Sequence, residues 1–120
     1  MIAAAHHPPR PPARVQVVAE EFRYSLSRPS VEAGKVIVEV VNRGQDTHDL
    51  DLRRIGGSRT YRFPAVRPGR VVDREWTLRP GRYLLWCSVA DHRERGMHAV
   101  LVVGEPRVPP RAPSFFARRG

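Results

Sequence analysis

A chain of 120 residues with a formal charge of +9 has room for one packed core and is too short for two. No run approaches the roughly 20 apolar residues that cross a bilayer, and the single cysteine, Cys87, excludes an internal disulfide. The charge is not a nucleic-acid signature. Arg10, Arg14, Arg107, Arg111, Arg118 and Arg119 lie in the tails, and residues 15–105, which hold all 12 acidic residues, carry only +3.

Residues 1–14 are rich in Pro, Arg and Ala and have no hydrophobic period, which predicts a flexible N-terminal extension. Met1–Ala5 runs straight into His6, His7, Pro8 and Pro9, where a secretory leader would need about 7–15 apolar residues. From Val15 onward the apolar residues recur at period two. Phe22, Tyr24 and Leu26 alternate with Glu21, Arg23 and Ser25, the mark of a half-buried strand. The same pattern, rich in Val, Leu and aromatics, predicts strands over Val15–Ala19, Lys35–Asn42, Thr47–Arg53, Thr60–Phe63, Val71–Leu78, Arg82–Cys87 and Met97–Val103.

Turn chemistry separates them: Ala33-Gly34, Asn42-Arg43-Gly44, and Arg-Pro-Gly-Arg at both 67–70 and 79–82. Pro then Gly suits the two central positions of a type II turn, because Pro presets φ and Gly accepts positive φ. Residues 106–120 return to the Pro/Arg-rich composition and predict a flexible C-terminal tail. Residues 15–105 therefore read as one all-β domain, a Greek-key antiparallel β-sandwich of about 7–8 strands. A barrel satisfies the same pattern.

The chemistry concentrates between Gly81 and Val103, where Cys87, His92 and Met97 stand as Cys-x4-His-x4-Met between two apolar strands. A lone cysteine on an apolar strand reads as a small buried hydrophobe, and a lone methionine as core packing. Together with a histidine they form a donor set. Thiolate, imidazole and a weak thioether suit copper cycling between Cu(I) and Cu(II), with two histidines and the cysteine roughly trigonal and methionine axial. His48 supplies the second histidine: it shares strand parity with Leu50 and Leu52, so it turns toward the core. By the same parity His98 faces away from the site, Thr47, Asp49 and Asp51 point outward, and His6 and His7 read as solvated tail residues. Trp76 and Trp86 read as core or sheet-face aromatics.

Over residues 15–104 the sequence resembles the cupredoxins, the type 1 blue copper proteins. The resemblance lies in Asn42-x-Gly44 before His48, Gly81-x-Tyr83 opening the penultimate strand, the ligand loop, and the Val-rich last strand. It implies copper held by His48, Cys87 and His92, with Met97 as a weak axial contact. It also implies that Asp49 ties to Ser88 behind the ligands. Many relatives have Pro-Gly before the second histidine and Gly after the methionine. Here Ala90-Asp91 and His98 stand there, so the loop backbone is expected to differ locally.

These residues predict a mononuclear copper protein that carries one electron at a time and is not an enzyme, with His92 as its exposed electron port. The alternative is copper storage or delivery through the same ligands, although exchangeable sites are more usually Met- or Cys-rich. A binuclear site would need a second cysteine, and multicopper catalysis needs more than five histidines. The expected partners are redox proteins, acidic ones suiting the net charge, with the basic tails also suited to anionic membrane surfaces; the expected state is a monomer. The resemblance places the protein outside the cytoplasm, periplasmic or at the cell surface.

Overall fold

A computed structural model of the chain describes residues 10–105; 1–9 and 106–120, which include His6, His7 and most of both tails, lie outside the described residues. Alternating Val and polar residues extend into strands because β-branched side chains pack well on a pleated, half-buried surface. Nine strands form: β1 (Ala13–Glu20), β2 (Arg23–Leu26), β3 (Ser30–Glu32), β4 (Gly34–Asn42), β5 (Asp51–Arg54), β6 (Thr60–Arg62), β7 (Val71–Leu78), β8 (Gly81–Trp86) and β9 (His98–Gly104). The first begins two residues inside the stretch read as extension. The third, only three residues long, is too short for the period-two pattern to register.

The strands make two facing sheets, in the orders β2-β1-β4-β7 and β3-β9-β8-β5-β6. The sandwich is as expected, but it is not wholly antiparallel. β1 runs parallel to β4 (Val17 opposite Val40), and β3 runs parallel to β9. Alternation reports which side of a strand is buried but not the direction of its neighbour. The inner faces interdigitate: Val15, Val17, Ala19, Val36, Val38 and Val40 from one sheet meet Leu52, Tyr83, Leu85, Leu101 and Val103 from the other, all within 2% of full burial. Each such Val or Leu contributes about 1.5–3 kcal/mol of burial.

The edge strands β6 and β7 belong to different sheets and are joined by aromatics. The Trp76 ring lies 5.2 Å from Tyr61 and meets Phe63 edge-on at 5.3 Å. The two Arg-Pro-Gly-Arg copies differ. Arg70 N–H closes on Arg67 C=O at 3.0 Å, with Gly69 at φ +80°, the expected turn. Gly81, at φ +153°, instead starts β8, and a Cβ there would collide with the Arg54 guanidinium, which donates to Pro80 C=O at 2.9 Å.

Candidate metal centre

At one end of the sandwich β1, β4 and β8 finish while β5 and β9 begin. Three donors meet there. His48 Nδ1 lies 3.2 Å from His92 Nδ1, which lies 3.6 Å from Cys87 Sγ. His48 and Cys87 are fully buried and His92 is 5% exposed. Nitrogens about 2.0 Å and a sulfur about 2.3 Å from a shared ion, at angles near 120°, stand about 3.5 Å (N to N) and about 3.7 Å (N to S) apart. The two edges that run from His92 agree with that triangle, and all three donor atoms lie within 4.8 Å of one another, so the cluster fits one metal ion.

Local chemistry delivers each donor. Asn42, fully buried at the end of β4, accepts from Gly44 N–H (2.8 Å) and donates to Asp46 C=O and Val66 C=O (2.8 Å each). It thereby shapes the loop ahead of His48 and anchors Val66, whose backbone pairs with that of His48 (3.1 and 2.7 Å). His48 thus sits in an isolated bridge, not in the strand expected from Thr47; β5 starts only at Asp51. The parity of His48, Leu50 and Leu52 holds, all three being buried. Asp51 does not point outward into water: it is 3% exposed and pairs with Arg62 at 3.2 Å. Burial, with help from Asp49, raises the Asp51 carboxyl above its ordinary value, and Arg62 and Arg53 partly oppose this.

Cys87 follows β8, its N–H bonded to Met97 C=O at 3.1 Å. Asp49 N–H points at Cys87 Sγ (3.5 Å), while the Asp49 carboxylate accepts from Ser88 N–H (2.7 Å) and from the Ser88 hydroxyl. The Asp49–Ser88 tie implied by the resemblance is present. Tyr24 adds a tie that sequence reasoning passed over, donating its hydroxyl to Asp49 C=O. Burial raises the Cys87 thiol pKa, with backbone N–H groups opposing it, so a cation at the cluster is the natural means of holding the thiolate.

The loop from Ser88 to Gly96 is a chain of tight turns. His92 N–H bonds Val89 C=O (3.0 Å), and Arg95 N–H and Met97 N–H both reach His92 C=O (3.1 Å each). Ala90, where many relatives carry Pro-Gly chemistry, has φ +45°, an uncommon conformation for a residue with a side chain. Met97 is fully buried and bonded through its backbone to both Cys87 and His92, and His98 is exposed.

The expectation of an exposed His92 edge is not met. The Phe22 ring packs 5.0 Å from the imidazole, and Arg95, which is bound to Asp91 at 2.8 Å, lies over Phe22. Asp46 Oδ2 stands 3.5 Å from His92 Nε2. Glu21 Oε2 stands 3.6 Å from His48 Nε2. Alternation counted Phe22 and Glu21 as ordinary strand residues, because a contact with a loop over 20 residues away leaves no local signal.

No protein-family model and no curated protein sequence matches the chain. Solved structures do. Auracyanin A, a "blue" copper protein from Chloroflexus aurantiacus, superposes with TM-score 0.64 at 19% identity, covering 78% of this chain and 100% of its own. Reduced auracyanin from Roseiflexus castenholzii gives 0.62 at 16% identity, over 77% of this chain and 97% of its own. The copper nitrite reductase of Nitrosomonas europaea gives 0.59 at 19% identity, over 87% of this chain but only 45% of the larger enzyme. Nine strands in two mixed sheets among the described residues, the His–Cys–His cluster at one end of the sandwich and these superpositions agree: the chain has the cupredoxin fold.

Proposed function

We propose that the protein is a mononuclear type 1 copper protein that carries single electrons, with His48, Cys87 and His92 as its strong ligands and Met97 as the weak axial one. The observation that carries this reading is the convergence of two Nδ1 atoms and one Sγ in a site sealed from water. That donor set suits copper in both oxidation states. Copper would supply the one-electron chemistry; the chain's own residues hold the imidazoles and the thiolate in place through Asn42, Asp49 and the turns of the ligand loop, and they keep out water. The burial of all three donors leaves no approach for a substrate molecule, which favours a carrier over the enzymatic use of the same fold.

The burial of His92 favours a different electron exit. Trp86 precedes Cys87 directly, and this partly buried residue lies on the outer face of the five-stranded sheet, with the Arg93 and Arg53 guanidinium groups 4.9 and 5.7 Å from its ring centroid. A cationic rim around an aromatic one residue from the thiolate suits an acidic redox partner. A location outside the cytoplasm accords with this role; among the described residues no helix is long and apolar enough to cross a membrane.

Adding Cu(II) to apoprotein tests the reading. An intense thiolate-to-copper band should appear, bleach with ascorbate and return on reoxidation without metal loss. Cys87→Ser should abolish it. Colour that survives this substitution refutes the ligand assignment, and metal released on each reduction supports delivery instead.

A further inference from the structure

His48 Nδ1 faces the donor cluster, so the ring proton belongs on Nε2. That nitrogen is fully buried and has no hydrogen-bond partner among the described residues. The group nearest to satisfying it is the Glu21 carboxylate, 3.6 Å away. Glu21 does not arrive there by chance packing. Its Oε1 accepts from Asp46 N–H at 2.6 Å and from Gln45 N–H, which straps the end of β1 to the loop that leads into His48. The fit leaves room only for glycine at position 44: a Cβ there would lie 2.8 Å from Glu21 Cδ and 2.9 Å from His48 Nε2. The same strap holds Asp46, whose own carboxylate stands 3.5 Å from His92 Nε2. Each imidazole therefore has an anion behind it, on the side away from the sulfur.

We propose that Glu21 is a positioning residue for the metal site: its carboxylate fixes the Nε2–H form of His48, carries Asp46 to His92, and biases the site toward the more highly charged oxidation state. The proposal rests on the reading of His48 as a ligand. An anion at an imidazole's outer nitrogen favours positive charge on the metal side, more for Cu(II) than for Cu(I).

Three variants separate charge from strapping. Glu21→Gln keeps an oxygen that can accept from Gln45 and Asp46 but removes the charge; Glu21→Ala removes both; Glu75→Gln, on the exposed edge strand β7, removes a distant charge. Each is loaded with Cu(II) and its midpoint potential measured by voltammetry beside its visible spectrum. The expected result for Glu21→Gln is a retained thiolate band and a raised potential, with the oxidised-to-reduced ratio at fixed potential falling about three- to ten-fold, while Glu75→Gln stays at the wild-type value. A Glu21→Gln potential equal to that of Glu75→Gln overturns the proposal. A second readout needs no copper: ring ¹⁵N shifts of the apoprotein should show His48 protonated at Nε2 in the wild type, with that preference weakened in Glu21→Gln. Protonation of His48 at Nδ1 in the wild type overturns the proposal too. If wild-type protein forms no thiolate band, the copper reading fails, and the ring shifts still decide the role of Glu21.

Discussion

Asn42 is the most informative single residue to remove. Its amide makes three hydrogen bonds of 2.8 Å, two given to the carbonyls of Asp46 and Val66 and one taken from Gly44 N–H, and the side chain is fully buried. Each bond is worth about 1 kcal/mol net, and a buried group left unpaired costs about 1–3 kcal/mol. Asn42→Ala should therefore destabilise the apoprotein by about 3 kcal/mol, a fall in Tm of about 12–24 °C for a domain of this size. Asn42→Asp should cost more, because it keeps the bond from Gly44 but turns a carboxylate oxygen toward two carbonyl oxygens. Urea unfolding followed by tryptophan fluorescence measures both, with the slope unchanged if the folded state is otherwise intact. In the folded variants copper should bind more weakly, since His48 hangs from the loop and the Val66 bridge that Asn42 secures. A loss below about 1 kcal/mol for Asn42→Ala, with copper affinity untouched, would refute the idea that this side chain builds the His48 end of the site.

Met97→Leu should leave copper bound and raise the reduction potential, because losing a weak axial donor destabilises Cu(II) more than Cu(I); an unchanged or lower potential would make Met97 a core residue only. Asp51 has a folded pKa above the ordinary 3.8, so the folded chain holds its proton more tightly, and the stability it lends below pH 3.8 is lost as pH rises through the folded value. Asp51→Asn should accordingly look more favourable, relative to wild type, at pH 7 than at pH 3 in urea titrations, and the opposite ordering would mean that the Arg62 pair outweighs burial. Reversing charge at Arg53 and Arg93 together should slow oxidation of the copper(I) protein by an anionic oxidant about ten-fold at low salt and weaken the salt dependence. Equal rates in stopped flow would place the electron exit away from Trp86.

What the sequence by itself determines is what lies within a few residues or obeys a strict period. Cys87 and His92 stand five residues apart on one loop, so their approach to each other follows from spacing, and the parity of His48 with Leu50 and Leu52 turns it inward without knowledge of its neighbour. An all-β domain of short strands follows in the same way from alternation and turn residues, whereas the choice of two facing sheets over a closed barrel does not. Tertiary structure decides the rest, because it rests on contacts between distant segments that leave no periodic trace. Strand direction is one case, seen in the parallel β1–β4 pair. The twin Arg-Pro-Gly-Arg segments are another: one closes as a turn, while the other is drawn into β8, where Arg54 packs against its glycine. The burial of His92 beneath Phe22 and the carboxylates of Glu21 and Asp46 behind the two imidazoles are the third. Local pattern marks Glu21 as a polar residue on a strand; only the packing of β1 against the 43–47 loop, in space and not in sequence, makes it a neighbour of His48.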